Sequence, residues 1–226
     1  MNRKEFRGYK GRFLTAIREA LREAPPGSLD EAAFPAYSHP NPLINFLFWE
    51  RIYRVMRYLE RESPYGLALD FGCGSGVMLP FLAQICTRVV AVDVDLAPLK
   101  HVQARLDFPA NLAIYDARAV PEGIYTPGSF DIVLALDVLE HVEDLDRTLE
   151  HLCSLLKPGG RIVISGPTEN LAYRLGRALA GPEYSGDYHV RSIYDIRRAL
   201  SAYARVQKLA TLFYPIPLFE VYIGLL

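Results

Sequence analysis

From Leu67 to Ser165 short apolar runs alternate with amphipathic stretches, and this alternation constrains the fold more than any other feature of the chain. Leu67–Phe71, Arg88–Asp93, Asn111–Tyr115, Phe130–Leu136 and Arg161–Ser165 are rich in aliphatic and aromatic residues and too short for stable helices. Val77–Ile85, Leu96–Leu106 and Leu145–Leu156 lie between them with apolar residues at three- and four-residue steps. Strands that read as nearly unbroken apolar runs are buried on both faces. Joined through helices, they close as a parallel sheet with helices on both sides, so an α/β fold is expected.

The flanks differ. Phe6, Tyr9, Phe13, Ile17, Ala20 and Leu21 mark one face of a helix over residues 3–23, which Ala24-Pro25-Pro26-Gly27 stops. After a connector, Phe34 to Pro42, a second helix is expected over Leu43–Glu62, with Arg51, Arg54, Arg57 and Arg61 among Phe46, Trp49, Tyr53 and Met56. Beyond Ser165 the pattern predicts a helix over Leu171–Ala180, a loop over Gly181–His189 and a helix over Ser192–Tyr203. Two apolar segments, Ala204–Tyr214 and Leu218–Leu225, are too closely joined for a parallel crossover and read as an antiparallel pair. The domain reading is an N-terminal helical extension, 1–62, and a main domain, 63–226, with an insertion or lid over 167–191.

A chain of 226 residues with half its residues hydrophobic can bury a substantial core. The formal charge of −1 gives no general attraction to a polyanion, so a nucleic-acid partner is not expected. Cys73, Cys86 and Cys153 are odd in number and widely spaced, which fits neither a disulfide framework nor a structural zinc site; no metal is expected. The charged N-terminus is not a secretory signal, and no run of apolar residues is long enough to cross a membrane. The expected location is the cytoplasm, with peripheral membrane contact as a further expectation.

Chemistry concentrates at the ends of the apolar runs. Leu69-Asp70-Phe71-Gly72-Cys73-Gly74-Ser75-Gly76 is a strand running into G-x-G-x-G and then a helix. Glycines let the backbone turn tightly and approach a ligand. A dinucleotide loop needs a glycine where Val77 stands, which disfavours a nicotinamide oxidoreductase. Asp70 beside the loop suits a positively charged ligand better than phosphate. Asp93 ends the next run, where a carboxylate can accept both hydroxyls of a ribose, while Asp95 reads as a helix cap. Asp116, in Tyr115-Asp116-Ala117, has two readings that stay open: an acceptor for an adenine amino group, or an Asx turn. Leu136-Asp137-Val138-Leu139-Glu140-His141-Val142 and Leu156-Lys157-Pro158-Gly159-Gly160 complete the set.

These five blocks, in this order, resemble the class I S-adenosylmethionine-dependent methyltransferases, most closely the type 11 group that includes quinone methyltransferases. The resemblance covers Leu67 to Gly166. It implies a Rossmann-like sheet of seven strands, mostly parallel with the last strand antiparallel. It also implies S-adenosylmethionine across the strand ends, with S-adenosylhomocysteine as product. The implied cofactor residues are Asp70, Phe71, Gly72, Cys73, Gly74, Gly76, Asp93, Val94, Asp116, Ala117 and Leu136.

The acceptor side is less legible. His189, next to Tyr188, is the first choice for a general base; His39 and Tyr37 are further candidates for closing over the site, and His141 reads as a turn anchor. The chain lacks the N-P-P-Y motif of base-amino methyltransferases and the Pro-Cys nucleophile of cytosine-C5 enzymes, so a small-molecule or lipid-linked acceptor is expected. The first helix has seven basic and three acidic residues: it either lies on an anionic membrane or packs its apolar face within the protein, as a monomer or a homodimer. The competing function is a catalytically inactive methyltransferase-fold protein that binds the cofactor or a partner in a regulatory role.

Overall fold

Helix formation at the N-terminus starts from a reciprocal cap. The Asn2 side chain accepts from the backbone N–H groups of Lys4 and Glu5, and the Glu5 carboxylate accepts from Asn2 N at 2.6 Å. Three otherwise unpaired backbone donors are thereby satisfied, and α1 runs over Arg3–Glu23. The computed structural model describes residues 1–24, 37–170, 191–213 and 215–226. The expected helix over Leu171–Ala180 and the loop carrying Tyr188 and His189 lie outside the described residues.

Two compact units divide the chain: Met1–Gly66 with Gly72–Pro121, and Leu67–Phe71 with Glu122–Leu226. In the first unit α1 meets α2 (Pro42–Glu62), whose entry is capped by Asn41 and preset by Pro42 in its first turn. Phe6, Tyr9, Phe13, Ala16, Ile17 and Ala20 are buried. The Phe6 ring lies against Trp49 and Tyr53, with centroids 6.1 and 4.8 Å away. Tyr9 donates from its hydroxyl to Val77 O at 2.5 Å. The apolar face of α1 is thus spent on packing inside the protein rather than offered to lipid. Between the helices Glu50, only 5 % exposed, accepts a two-pronged contact from Arg3 at 2.5 and 2.9 Å and a third hydrogen bond from Arg54 at 2.7 Å. Burial alone would raise the Glu50 pKa, but these two guanidinium groups hold it below the ordinary carboxylate value.

The first unit also holds α3 (Leu79–Ile85), β2 (Cys86–Asp93), α4 (Ala97–Gln103) and β3 (Leu112–Asp116). The second holds most of β1 (Tyr65–Phe71), with β4 (Phe130–Leu136), a short turn of 3₁₀ helix (Leu139–His141), α5 (Leu145–Leu155), β5 (Leu156–Pro167), α6 (Ile193–Leu200), β6 (Arg205–Leu212) and β7 (Phe219–Leu225). Seven strands form one sheet in the order β3-β2-β1-β4-β5-β7-β6. Pairing is parallel for β2 with β3, β1 with β4 and β4 with β5; β7 is antiparallel to both β5 and β6. Ile132, Val133, Leu134, Ile162, Val163 and Ile164 have no exposed surface, as expected for strands covered on both faces.

Two boundaries differ from expectation for local reasons. Val77 and Met78 stay outside α3 because the glycine turn ends there, with Leu79 N bonded to Gly76 O at 3.0 Å. Strand β5 starts at Leu156 rather than Arg161, because Leu156 pairs with Phe130 before the Pro158-Gly159-Gly160 excursion and pairing resumes at Arg161 with Ile132. The closing pair is antiparallel as expected, but β7 inserts between β5 and β6. Near the middle of β6, Lys208 faces Tyr222 and Ala210 faces Val221, so Leu209 is an extra residue and forms a bulge. The bulge puts Lys208 and Thr211, three residues apart, on one face, where both donate to Glu220 Oε1 at 2.8 and 3.0 Å.

Two predictions follow from this packing. Burial would raise the Glu220 pKa, but donors from Lys208, Tyr222 and Thr211 outweigh it and the pKa is lowered. A carboxylate with a depressed folded pKa stabilises the fold above its unfolded pKa and loses that contribution as pH falls through the folded value. Lys208→Met should therefore cost about 1–3 kcal/mol at neutral pH by urea unfolding. The deficit should close below the ordinary Glu pKa of about 4.3; a deficit of constant size down to pH 2 would contradict the pairing. In the glycine loop, a Cβ at Gly76 would lie 2.4 Å from Leu99 Cδ1 and 3.2 Å from Leu79 and Phe108, with φ at +75°, whereas a Cβ at Gly74 meets nothing within 4 Å. Gly76→Ala should destabilise by about 2–4 kcal/mol, strain and overpacking together. Gly74→Ala should cost about 1–2 kcal/mol, from its backbone angle alone. Thermal unfolding of the two variants checks the order.

Candidate functional site

A chain cannot pass from β1 into α3 without reversing tightly, and the reversal uses the three loop glycines. Gly72, Gly74 and Gly76 have φ of +75°, +52° and +75°, in the left-handed region that costs other residues roughly 1–2 kcal/mol each. The alternating G-x-G-x-G pattern is therefore a backbone requirement. The turn is held to the end of β2: Gly72 N and Cys73 N both donate to Val92 O, at 2.9 and 3.1 Å. Gly76 N closes it onto Cys73 O at 2.8 Å. Cys73 is 6 % exposed, and Cys86 and Cys153 are buried as well.

Asp93 stands at the end of β2 and is half-buried. Its Oδ2 accepts from Gly74 N at 2.7 Å and its Oδ1 from Asp95 N at 3.0 Å. A carboxylate has about four acceptor positions, two per oxygen. Among the described residues one position on each Asp93 oxygen is used, so each oxygen keeps one open. Two adjacent open acceptors match a vicinal diol. Asp95 accepts from Ala97 N at 2.9 Å, a turn contact one residue before Leu96, which takes the N-cap position of α4 in place of the expected Asp95. Val94, next to Asp93, is 62 % exposed, an unusual position for a valine and a ready apolar platform.

Asp116 ends β3 directly beside Asp93; the two are register partners, and Ala117 N donates to Asp93 O at 2.8 Å. The Asx turn is present, with Arg118 N donating to Asp116 Oδ1 at 2.9 Å. The Arg118 guanidinium also grips the same carboxylate, Nε to Oδ1 at 3.0 Å and Nη2 to Oδ2 at 2.9 Å. Hydrogen bonding from Arg118 holds the Asp116 carboxyl below its ordinary pKa, so it stays ionised. Sequence reasoning missed Arg118; its only signal was a basic residue two positions beyond an acid.

The first unit thus brings together Gly72, Cys73, Gly74, Gly76, Asp93, Val94, Asp116 and Ala117. Asp70, Phe71 and Leu136 belong to the second unit. Asp70 is 3 % exposed near the end of β1 and pairs in register with Leu134. Leu136 closes β4 opposite Ser165. Just beyond it Asp137 takes φ +52°, donates from its N–H to Ser165 O at 3.0 Å and accepts from Ser165 Oγ at 2.8 Å.

The acceptor-side candidates separate. Tyr37 is buried, with its ring against Trp49 and Phe48 and its carbonyl accepting from Trp49 Nε1 at 3.1 Å. His39 accepts at Nδ1 from Asn41 N at 2.9 Å, a local turn contact before α2. His141 closes the 3₁₀ turn, its N–H donating to Val138 O at 3.0 Å. Among the described residues no group of three or more His, Cys, Asp or Glu side chains is arranged to hold a metal ion. No described helix is long and apolar enough to cross a membrane.

The sequence matches the methyltransferase domain family over residues 48–205. A ubiquinone biosynthesis O-methyltransferase of Azotobacter vinelandii is 33 % identical over 151 residues, 63 % of this chain and 63 % of that protein. One from Pseudomonas aeruginosa is 34 % identical over 134 residues, 58 % of this chain and 56 % of its own. The chain spans less than two thirds of the length of these curated relatives. Among solved structures, the N-methyltransferase NodS of Bradyrhizobium japonicum, in complex with S-adenosyl-L-homocysteine, superposes with a TM-score of 0.61 at 17 % identity. That match covers 94 % of this chain and 97 % of NodS, and it is a likeness of fold. With the family's match extending over more than half of its residues, from α2 to the start of β6, the chain belongs to the methyltransferase domain family.

Proposed function

We propose that this chain transfers a methyl group from S-adenosylmethionine to a hydroxyl of a small-molecule or lipid-linked acceptor in the chemical class of quinone precursors. The observation that carries the cofactor reading is the pair of abreast carboxylates, Asp93 with one open acceptor on each oxygen and Asp116 with one remaining beside Arg118. A diol and an exocyclic amine present three donor groups, two hydroxyls and one amino group, in that order along a nucleoside. Val94 supplies an apolar surface for a base, and the left-handed loop leaves backbone without Cβ atoms beside the sugar. The acceptor class comes from the ubiquinone O-methyltransferases among its relatives. Exposed Lys4, Arg7, Arg12, Arg18 and Arg22 on α1 add attraction to the anionic surface where a lipid-linked acceptor resides.

When bound, S-adenosylmethionine supplies a methyl group on a sulfonium centre, already activated for transfer. The chain's own task is placement. Asp93 would hold the sugar, Asp116 the base, and the turn Gly72–Gly76 the bend between them, with Cys73 and Ala117 alongside; Asp70, Phe71 and Leu136 are proposed as cofactor residues on the family resemblance alone. Orientation of this kind is worth roughly 7–11 kcal/mol of barrier in favourable reactions. A hydroxyl acceptor must also lose its proton, and His189 is proposed as the base that takes it.

Calorimetric titration with S-adenosylhomocysteine should show saturable binding, no binding of NAD, and a loss of about 10- to 100-fold in affinity in Asp93→Ala. An absence of affinity in the unaltered chain, or an unchanged affinity in the variant, refutes the cofactor reading. With a phenolic acceptor, His189→Ala should lower turnover by about 10²–10⁴-fold at saturating cofactor. Unchanged turnover removes His189 from the mechanism.

A further inference from the structure

Arg118 makes more contacts than an exposed arginine needs. Its backbone N–H and Nε fill both acceptor positions of Asp116 Oδ1, at 2.9 and 3.0 Å. Its Nη2 takes one position on Oδ2 at 2.9 Å and also donates to Val94 O at 2.6 Å. The side chain therefore reaches from the end of β3 back to the residue after Asp93, with 70 % of its surface exposed. An exposed ion pair with a single contact contributes little, but here the carboxylate is fixed in plane and tied to the neighbouring strand end. Of the Asp116 acceptor positions, one remains, on Oδ2.

We propose that Arg118 is a positioning residue for nucleobase recognition: by filling every acceptor position on Asp116 but one, and anchoring the pair to Val94, it makes the carboxylate select a 6-aminopurine over a 6-oxopurine. This rests on the nucleoside reading above and deepens it. A lone carboxylate can swing to meet an N–H at several places on a purine edge. Clamped, it presents one acceptor in one direction. An exocyclic amino group satisfies that acceptor; a carbonyl in the same place sets two acceptors against each other. Hydrogen bonding from Arg118, with its positive charge, holds the Asp116 pKa below its ordinary value, so the carboxylate is an acceptor at neutral pH. Lysine in place of Arg118 would retain the charge but could not fork across both oxygens and Val94 O.

The test is isothermal titration of the full chain with S-adenosylhomocysteine and with its 6-oxo counterpart, S-inosylhomocysteine, in the unaltered protein and in Arg118→Lys and Arg118→Gln. The unaltered chain should prefer the adenosyl ligand by about 10- to 100-fold, the discrimination expected of one good donor–acceptor match at a base edge. Both variants should keep the same thermal midpoint and lose most of that preference, through weaker adenosyl binding with inosyl binding little changed. An equal loss for the two ligands, or retained preference in both variants, overturns the role of Arg118. A lack of preference in the unaltered chain overturns it too. Failure of the unaltered chain to bind either ligand refutes the nucleoside reading itself, a result distinct from the others.

Discussion

The hydrogen bond from Gly74 N to the Asp93 carboxylate at 2.7 Å is the contact on which the candidate site depends. A backbone amide bound to an ionised oxygen is stronger than one bound to a neutral acceptor. It ties the middle of a loop built from left-handed glycines to the end of the neighbouring strand. It also uses half of one oxygen's capacity, so the contact that shapes the loop also determines how many acceptors the carboxylate presents. Loop conformation and the number of acceptors left on Asp93 are set together, and neither can change without the other.

A similar economy operates between α1 and α2. Glu50 is buried and ionised because two arginines from different helices reach it. The aromatic rings of Phe6, Trp49 and Tyr53 fill the space alongside. The arrangement explains why an arginine-rich helix pair can still be part of a core: one acid gathers two cations, the buried Arg51 donates to the Tyr37 hydroxyl at 3.2 Å, and the other arginines are exposed or half-buried. It also explains why the amphipathic pattern of α1 was ambiguous in sequence, since a helix that packs on a neighbour and one that lies on lipid share the same apolar stripe.

Where residues impose local geometry, the sequence was legible. G-x-G-x-G and the apolar runs each have one inexpensive backbone solution, and those solutions are present. Legibility fell where distant residues decide. That β7 inserts between β5 and β6 depends on pairing partners far apart in the chain. The bulge at Leu209 has no local signature. Arg118 was invisible because an exposed arginine is ordinary until the direction of its side chain is known. Asp116 stayed undecided for a related reason. The Asx turn is present, and the proposed acceptor role would use a different position on the same carboxylate, so the two readings do not compete.

The bulged β6 has a consequence for life among other proteins. It forms one border of the sheet, and a bare border invites another chain to lengthen the ladder. Arg205, Gln207 and Lys208 are exposed along it, and the extra residue at Leu209 breaks the even repeat that an incoming strand would need to match. The device that brings Lys208 and Thr211 to Glu220 thereby also guards that border against intermolecular β-aggregation.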